Sequence, residues 1–222
     1  MNDQRYCVVD VCGTLFSEDT TVGLVGAHVN RTGNVIKRIS YLLLTVKFSP
    51  FYIAFLLLER LCRQHVYKHV LILFLRGAIK HDLELTANSY LDYLLNCKKQ
   101  EAVWSRLRLS ECEILVLASA SLEPFILALA SRLNCLYVAS ELECDSDRYS
   151  GRLSIDITGK KVDRLAEKFR DFNPRNISTV VSDNLTDKGL LSLATNPVVV
   201  VNRRKDRVRW KNLEAEYLET WV

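Results

Sequence analysis

Five short apolar runs most narrow what this chain can become: Tyr6 to Val11, Glu113 to Leu117, Leu136 to Ala139, Ile177 to Val181 and Val198 to Val201. Each is four to six residues long, and none keeps a strict alternation of polar and apolar positions. Runs of that kind suit strands covered on both faces, as in a parallel sheet. Helical patterns separate the later runs, at Glu123 to Leu133, Lys161 to Phe172 and Asp187 to Ala194. Strand and helix in alternation predict an α/β chain with a doubly wound, Rossmann-like parallel sheet, whose ligands gather at the carboxyl ends of the strands. At 222 residues there is room for one such core and an insertion, and too little chain for two full-sized enzymes.

The insertion falls between the first and second runs, where no strand pattern occurs. The expected division is a core of residues 1–16 and 111–222 and an all-helical cap, apolar and basic, of residues 17–110. Residues 20–81 hold nine Lys or Arg (Arg31, Lys37, Arg38, Lys47, Arg60, Arg63, Lys68, Arg76, Lys80) against one acid, Glu59, a net +8 in a chain whose total is +4. Such asymmetry points to an anionic partner. Within it, Tyr41 to Leu44 and Phe51 to Leu58 are strongly apolar and are separated by Lys47, Ser49 and Pro50; Val70 to Leu75 adds a further run. A membrane-spanning helix needs about 20 predominantly apolar residues, so the interruption predicts a helix, a break at Pro50 and a second helix. Three roles stay open for this segment: a buried core or dimer interface, a spanning hairpin, or a basic apolar pair of helices lying in the surface of an anionic membrane through residues 37–81.

Other features exclude more than they suggest. The seven cysteines are odd in number, scattered and never spaced as Cys-x-x-Cys, against both a disulfide framework and a zinc knuckle. The N-terminus runs straight into a strand-like segment without a signal-peptide pattern. A cytoplasmic location is expected, including the inner face of the membrane. His65 and His69 stand at i and i+4 but have no third ligand in the sequence, so a polar helix face outweighs a metal site. Arg203, Arg204, Lys205, Arg207, Arg209 and Lys211 have only Trp210 as an interleaved aromatic, which predicts a solvated C-terminal helix and no nucleic-acid partner.

The chemistry centres on Asp10-Val11-Cys12-Gly13-Thr14-Leu15, a carboxylate at a strand end followed by a glycine turn. Three further elements follow in order: Ser119 after the second run, Gly159-Lys160-Lys161-Val162-Asp163-Arg164-Leu165 opening a helix, and Ser182-Asp183-Asn184-Leu185-Thr186-Asp187 after the fourth run. This series resembles the four-motif signature of the haloacid dehalogenase superfamily, nearest its phosphoserine phosphatase-like branch, as does the ending Asn196 to Asn202 with Trp210. The resemblance covers residues 5–16 and 112–212. It implies Asp10 as a nucleophile that forms an aspartyl-phosphate. It implies Mg²⁺ held by Asp10, the Cys12 backbone carbonyl and Asp183, with Asp187 in support, and phosphate binding by Ser119, Lys161 and Thr14. Ser121 is the rival for Ser119 and Lys160 for Lys161.

Two departures matter. At Cys12 active phosphatases of the superfamily carry a second Asp, the general acid, and at Ser182 glycine is usual. A thiol, with a reference pKa of about 8.5, is a poorer acid than a carboxyl group, and losing general acid assistance typically removes roughly 10² to 10⁴ in rate. The leading expectation is a Mg²⁺-dependent phosphohydrolase acting on a phosphorylated small molecule or lipid phosphate. Against it stand a degenerate protein that binds a phosphorylated ligand or partner without turnover, and carbon–halogen or carbon–phosphorus cleavage, whose family members also lack the second Asp.

Overall fold

A computed structural model gives the structure of the protein, and the residues it describes are 5–47, 49–54, 57, 66–108, 114–170 and 172–221. Phe55, Leu58, Glu59, Cys62, His65, Cys112 and Glu113, on which sequence expectations rest, lie outside these. The chain runs β1 (Tyr6–Val9), α1 (Thr20–Thr32), α2 (Val35–Thr45), α3 (Val66–Leu73), α4 (Lys80–Cys97), α5 (Glu101–Arg108), β2 (Ile114–Leu122), α6 (Glu123–Leu133) and β3 (Leu136–Asp145). It continues through β4 (Arg148–Ile155), α7 (Lys161–Lys168), β5 (Ile177–Ser182), α8 (Lys188–Leu191), β6 (Asn196–Val201) and β7 (Glu216–Glu219). The strands form one sheet in the order β4-β3-β2-β1-β5-β6-β7, parallel throughout except for the β3–β4 hairpin.

The lack of alternation in the strand sequences is explained by cover on both faces. In β1, Cys7 and Val9 enter one apolar cluster while Tyr6 and Val8 enter the other, and all four are buried. Leaving water stabilises by about 1.5–3 kcal/mol for each fully buried side chain of this size, so no position of β1 is free to be polar. The first cluster continues into α1 (Leu24, Val25, Val29), α4 (Leu83, Leu91, Leu94) and α6 (Phe125, Ile126, Leu129). The helices between β1 and β2 therefore share the core of the sheet. Phe16 joins them to α5 and α6, with its ring 6.0 Å from Trp104 and 6.1 Å from Phe125.

The helix ends follow local chemistry. Asp19 caps α1 by accepting from the Thr21 and Val22 amides, and Asn34 caps α2 through the Lys37 amide. Pro124 stands in the first turn of α6 and Asn134 ends it in the left-handed region. α3 lies along β4, where the Gly77 amide donates to Tyr149 O (2.8 Å) and the Tyr149 amide donates to Ala78 O (3.0 Å).

Several expectations are corrected. β4 carries polar residues along one side, Arg148, Arg152 and Ser154, and β7 begins and ends on an exposed acid, Glu216 and Glu219, so neither has a continuous apolar run. The stretch expected as a solvated helix is a 3₁₀ segment, Arg204–Trp210, whose Trp210 is buried in the second cluster before the chain enters β7. The helix expected from Lys161 to Phe172 stops at Lys168, and that expected from Asp187 to Ala194 is the short α8. Cys12, Cys97, Cys135 and Cys144 are free thiols, and among the described residues no helix is long and apolar enough to cross a membrane.

Candidate active site

The site is built where β1 and β5 end. The Asp10 amide donates to Val181 O at 2.9 Å, after which the Val11 carbonyl accepts from the amides of Thr14 (3.3 Å), Leu15 (3.0 Å) and Phe16 (3.2 Å). That tight turn needs Gly13, whose φ is +73° and whose absent Cβ would lie 2.3 Å from Asp183 Oδ2. Gln100 Nε2 and Asn202 Nδ2 each donate to Gly13 O at 2.7 Å. Asn202 also donates to Asp183 Oδ2 (3.0 Å), while Thr14 Oγ1 donates to Asp183 Oδ1 and accepts from the Asp183 amide, both at 3.0 Å. The two loops are thus locked to each other by side chains from four parts of the chain.

Lys161, 4% exposed, sits between two carboxylates, 2.9 Å from Asp10 Oδ1 and 2.6 Å from Asp187 Oδ2, and Ser182 Oγ donates to the same Asp187 oxygen at 2.6 Å. Burial by itself would lower the Lys161 pKa, but Asp10 and Asp187 outweigh it and hold the ammonium charged. Burial raises the Asp10 carboxyl above the usual carboxylate range, opposed by Lys161. Buried charges are tolerated only when paired and hydrogen-bonded, and this set meets that condition.

A cavity of about 370 Å³ opens here, lined by Asp10, Cys12, Ser119, Ser121, Lys161 and Asp183 among others. Lys161 lines it, whereas Lys160 is exposed at the cap position of α7. Both serines line it: Ser119 Oγ donates to Ser121 Oγ (3.1 Å), and Ser121 Oγ is 2.5 Å from Thr20 Oγ1. Thr14 and Asp187 stand one step back, the first fully buried against Asp183 and the second against Lys161. Asp187 therefore orients the lysine. Cys12 faces the cavity, its thiol pointing toward Glu18 O at 3.7 Å. Burial pushes that thiol well up, with the Asp19 and Asp10 carboxylates adding to the effect, so at neutral pH it is neither an acid of useful strength nor a thiolate.

Three residues escaped sequence reasoning. Lys68 of α3 reaches the cavity and is held by Asp156 Oδ1 (2.8 Å), Ala120 O (2.9 Å), Ser140 Oγ (3.1 Å) and Thr158 Oγ1 (3.3 Å). Burial would raise the Asp156 carboxyl, but hydrogen bonds from Lys68 and Thr158 hold it well below the usual carboxylate range. Gln100 and Asn202 are the others. No local pattern marks Lys68 or Gln100, and Asn202 shows in the sequence only as the end of the Asn196 to Asn202 resemblance, with no role attached; each acts on a partner roughly 20 to 190 residues away in sequence.

The donors fit a hard divalent cation. Mg²⁺ is usually bound through one or two carboxylates with the balance of an octahedron in water, and Asp10 and Asp183 line one cavity. Burial, and then the Asp10 charge, push the Asp183 carboxyl up to about 7, which a cation would relieve. Among the described residues no group of three or more His, Cys, Asp or Glu is arranged for a metal, and Asp187 is turned to Lys161. A pH test follows. With the folded pKa near 7 above an unfolded value near 3.8, the stability given by neutral Asp183 is complete below about pH 4 and lost as pH rises through 7. Metal-free protein is expected to lose on the order of 3 kcal/mol between pH 5 and pH 8, and Mg²⁺ to raise the melting temperature more at pH 8 than at pH 5. Thermal denaturation with and without Mg²⁺ measures both; equal Mg²⁺ shifts at the two pH values would remove Asp183 as a ligand.

No protein-family model matches the chain, and no curated protein does. Solved structures do. A protein of unknown function from Bordetella pertussis Tohama I superposes with a TM-score of 0.75 at 16% identity, over 98% of this chain and 100% of its own. A HAD-family hydrolase from Salmonella enterica serovar Typhi gives 0.56 at 12%, over 96% of this chain and 66% of its own. A phosphoserine phosphatase in the form of a phospho-aspartyl intermediate analogue gives 0.57 at 10%, over 98% and 94%. The chain has the fold of the haloacid dehalogenase-like hydrolases.

Proposed function

We propose that the chain is a Mg²⁺-dependent phosphohydrolase that cleaves a phosphomonoester through an aspartyl-phosphate on Asp10. The observation that carries this reading is the cavity itself: a carboxylate at the end of β1, paired with a buried ammonium, faces a second carboxylate and two serine hydroxyls. Asp10 Oδ1 accepts from the Val11 amide (2.8 Å) and Lys161, leaving Oδ2 to attack phosphorus. As that bond forms the ester P–O bond breaks, and Ser119 and Lys161 stabilise the charge on the phosphoryl oxygens. Held by Asp10, Asp183 and the Cys12 carbonyl, Mg²⁺ would offset the charge that nucleophile and phosphate share. Water then hydrolyses the aspartyl-phosphate and releases inorganic phosphate. The helices of residues 17–110 act as a cap over the site; Val22, Tyr67 and Leu71 give the cavity an apolar wall, which favours a lipid-linked or amphiphilic ester.

The test needs no substrate. Mg²⁺ with beryllium fluoride, which mimics the phosphoryl group on a carboxylate, is expected to raise the melting temperature by several degrees through ligand linkage, and Asp10→Asn to abolish the gain. An unchanged melting temperature in the parent protein rejects the assignment. The buried, neutral Cys12 thiol favours a second reading, a protein that binds a phosphate ester at this site without turnover.

A further inference from the structure

α2 is an amphipathic helix turned the wrong way for a water-facing element. Its inner side, near Lys37, Tyr41 and Thr45, rests on the molecule: Lys37 Nζ donates to Phe74 O (3.1 Å), Tyr41 OH donates to Val22 O (2.9 Å), and Gly26 leaves room for the Tyr41 ring. Its outer side carries Val35, Ile36, Ile39, Leu42, Leu43 and Val46, all between 46% and 78% exposed. These recur at helical spacing, so they form one stripe, and no residue of α2 is buried. Phe51, Ile53 and Leu57 extend the exposed apolar surface past Pro50. Single exposed apolar residues need no explanation, but a contiguous patch marks a binding surface.

Charge selects the occupant. Arg38 and Lys47 are exposed beside the patch, and between residues 20 and 81 the sequence holds Glu59 as its one acid. A second copy of the chain docked about a two-fold axis would set this basic surface against itself. An anionic bilayer takes both parts, with the stripe at the acyl boundary and the basic side chains among the headgroups. The patch also leads to the cavity. Tyr67, which lines the cavity, donates to Leu44 O at the end of α2 (3.4 Å), and its ring meets that of Tyr52 edge to face at 6.0 Å.

We propose that α2 with Phe51, Ile53 and Leu57 lies in the surface of an anionic membrane, and that the ester entering the Asp10 cavity is one carried by that membrane. The second half rests on the phosphohydrolase reading; the first does not. Sedimentation with vesicles of phosphatidylcholine alone, and of phosphatidylcholine mixed with phosphatidylglycerol, tests the first half. Binding is expected on the anionic vesicles and to weaken as salt screens the basic residues. Ile39→Asp with Leu42→Asp should weaken it about tenfold or more with little change in melting temperature, because both side chains are already about half exposed to water. Arg38→Glu with Lys47→Glu should weaken it with the apolar stripe intact. Failure of the parent to bind anionic vesicles overturns the proposal, as does a dimer in sedimentation equilibrium that the Ile39 and Leu42 changes dissociate. For the second half, Ile39→Asp with Leu42→Asp should slow hydrolysis of vesicle-borne phosphatidic acid and spare a soluble aryl phosphate. A protein that binds vesicles and cleaves the aryl phosphate but not phosphatidic acid refutes the second half alone, whereas one that cleaves neither ester refutes the phosphohydrolase reading on which it rests.

Discussion

Cys12→Asp is expected to raise the turnover of simple alkyl phosphates by about 10² or more, the lower end of what general acid–base assistance contributes. An alkoxide leaves slowly unless a proton reaches it as the P–O bond breaks, and the Cys12 thiol, pushed well up by burial and by the nearby Asp19 and Asp10 carboxylates, holds its proton too tightly to supply it. The parent protein should therefore prefer aryl and acyl phosphates, whose leaving groups depart unprotonated. A carboxyl at position 12 faces the same cavity as Asp10 and should also speed breakdown of the aspartyl-phosphate by taking a proton from water. Steady-state kinetics over esters of graded leaving-group pKa measures both effects, with a flatter dependence in the variant. If Cys12→Asp folds, shows the Mg²⁺-dependent thermal shift and hydrolyses no ester, the binding reading is the better one.

Lys161→Met should destabilise the protein by about 3–5 kcal/mol, the usual cost of removing one partner from a buried ion pair. The loss is large because two carboxylates share this ammonium, and Asp10 at 6% and Asp187 at 2% exposure cannot turn to water. For a chain of this length that corresponds to a melting temperature lowered by roughly 10 °C or more. The sign of its pH dependence is fixed. Without the ammonium the chief opposition to the burial that raises the Asp10 carboxyl is gone, so the stability of its neutral form is present at low pH and lost as pH rises. The deficit against the parent should therefore narrow as pH falls toward 5. Lys160→Met, at an exposed position, should shift stability by no more than about 0.5 kcal/mol. Equal effects of the two substitutions would show that no buried ammonium bridges Asp10 and Asp187.

The parts of the fold legible in the sequence are those made by neighbouring residues. β1, β2, β3, β5 and β6 could be read because strands covered on both faces carry short apolar runs without alternation, and α6 because its pattern, Pro124 and Asn134 all agree. β4 and β7 could not, since β4 shows polar residues to solvent on one side, β7 is two apolar residues between two exposed acids, and each owes its place to a partner strand. The Asp10 turn was legible for the same local reason: a carboxylate, a glycine and a threonine within five residues leave few backbone paths.

Choices between equivalent residues needed the third dimension. Lys160 and Lys161 differ in sequence by nothing but position, and the first turn of α7 decides which reaches Asp10 and which reaches solvent. The sequence does not say what Asp187 bonds to, and the structure sets it against Lys161 and Ser182. Lys68 and Gln100 enter the site from segments with no chemical signature of their own, and Asn202 from one whose resemblance gave it no role. The apolar pattern of α2 states that one side of the helix avoids water but not which way that side points. Tyr41 and Lys37, anchored to Val22, Phe74 and Arg76, turn the stripe outward. Periodicity is a property of adjacent residues, whereas orientation and pairing belong to contacts between segments far apart in the chain, and those contacts exist only once it has folded.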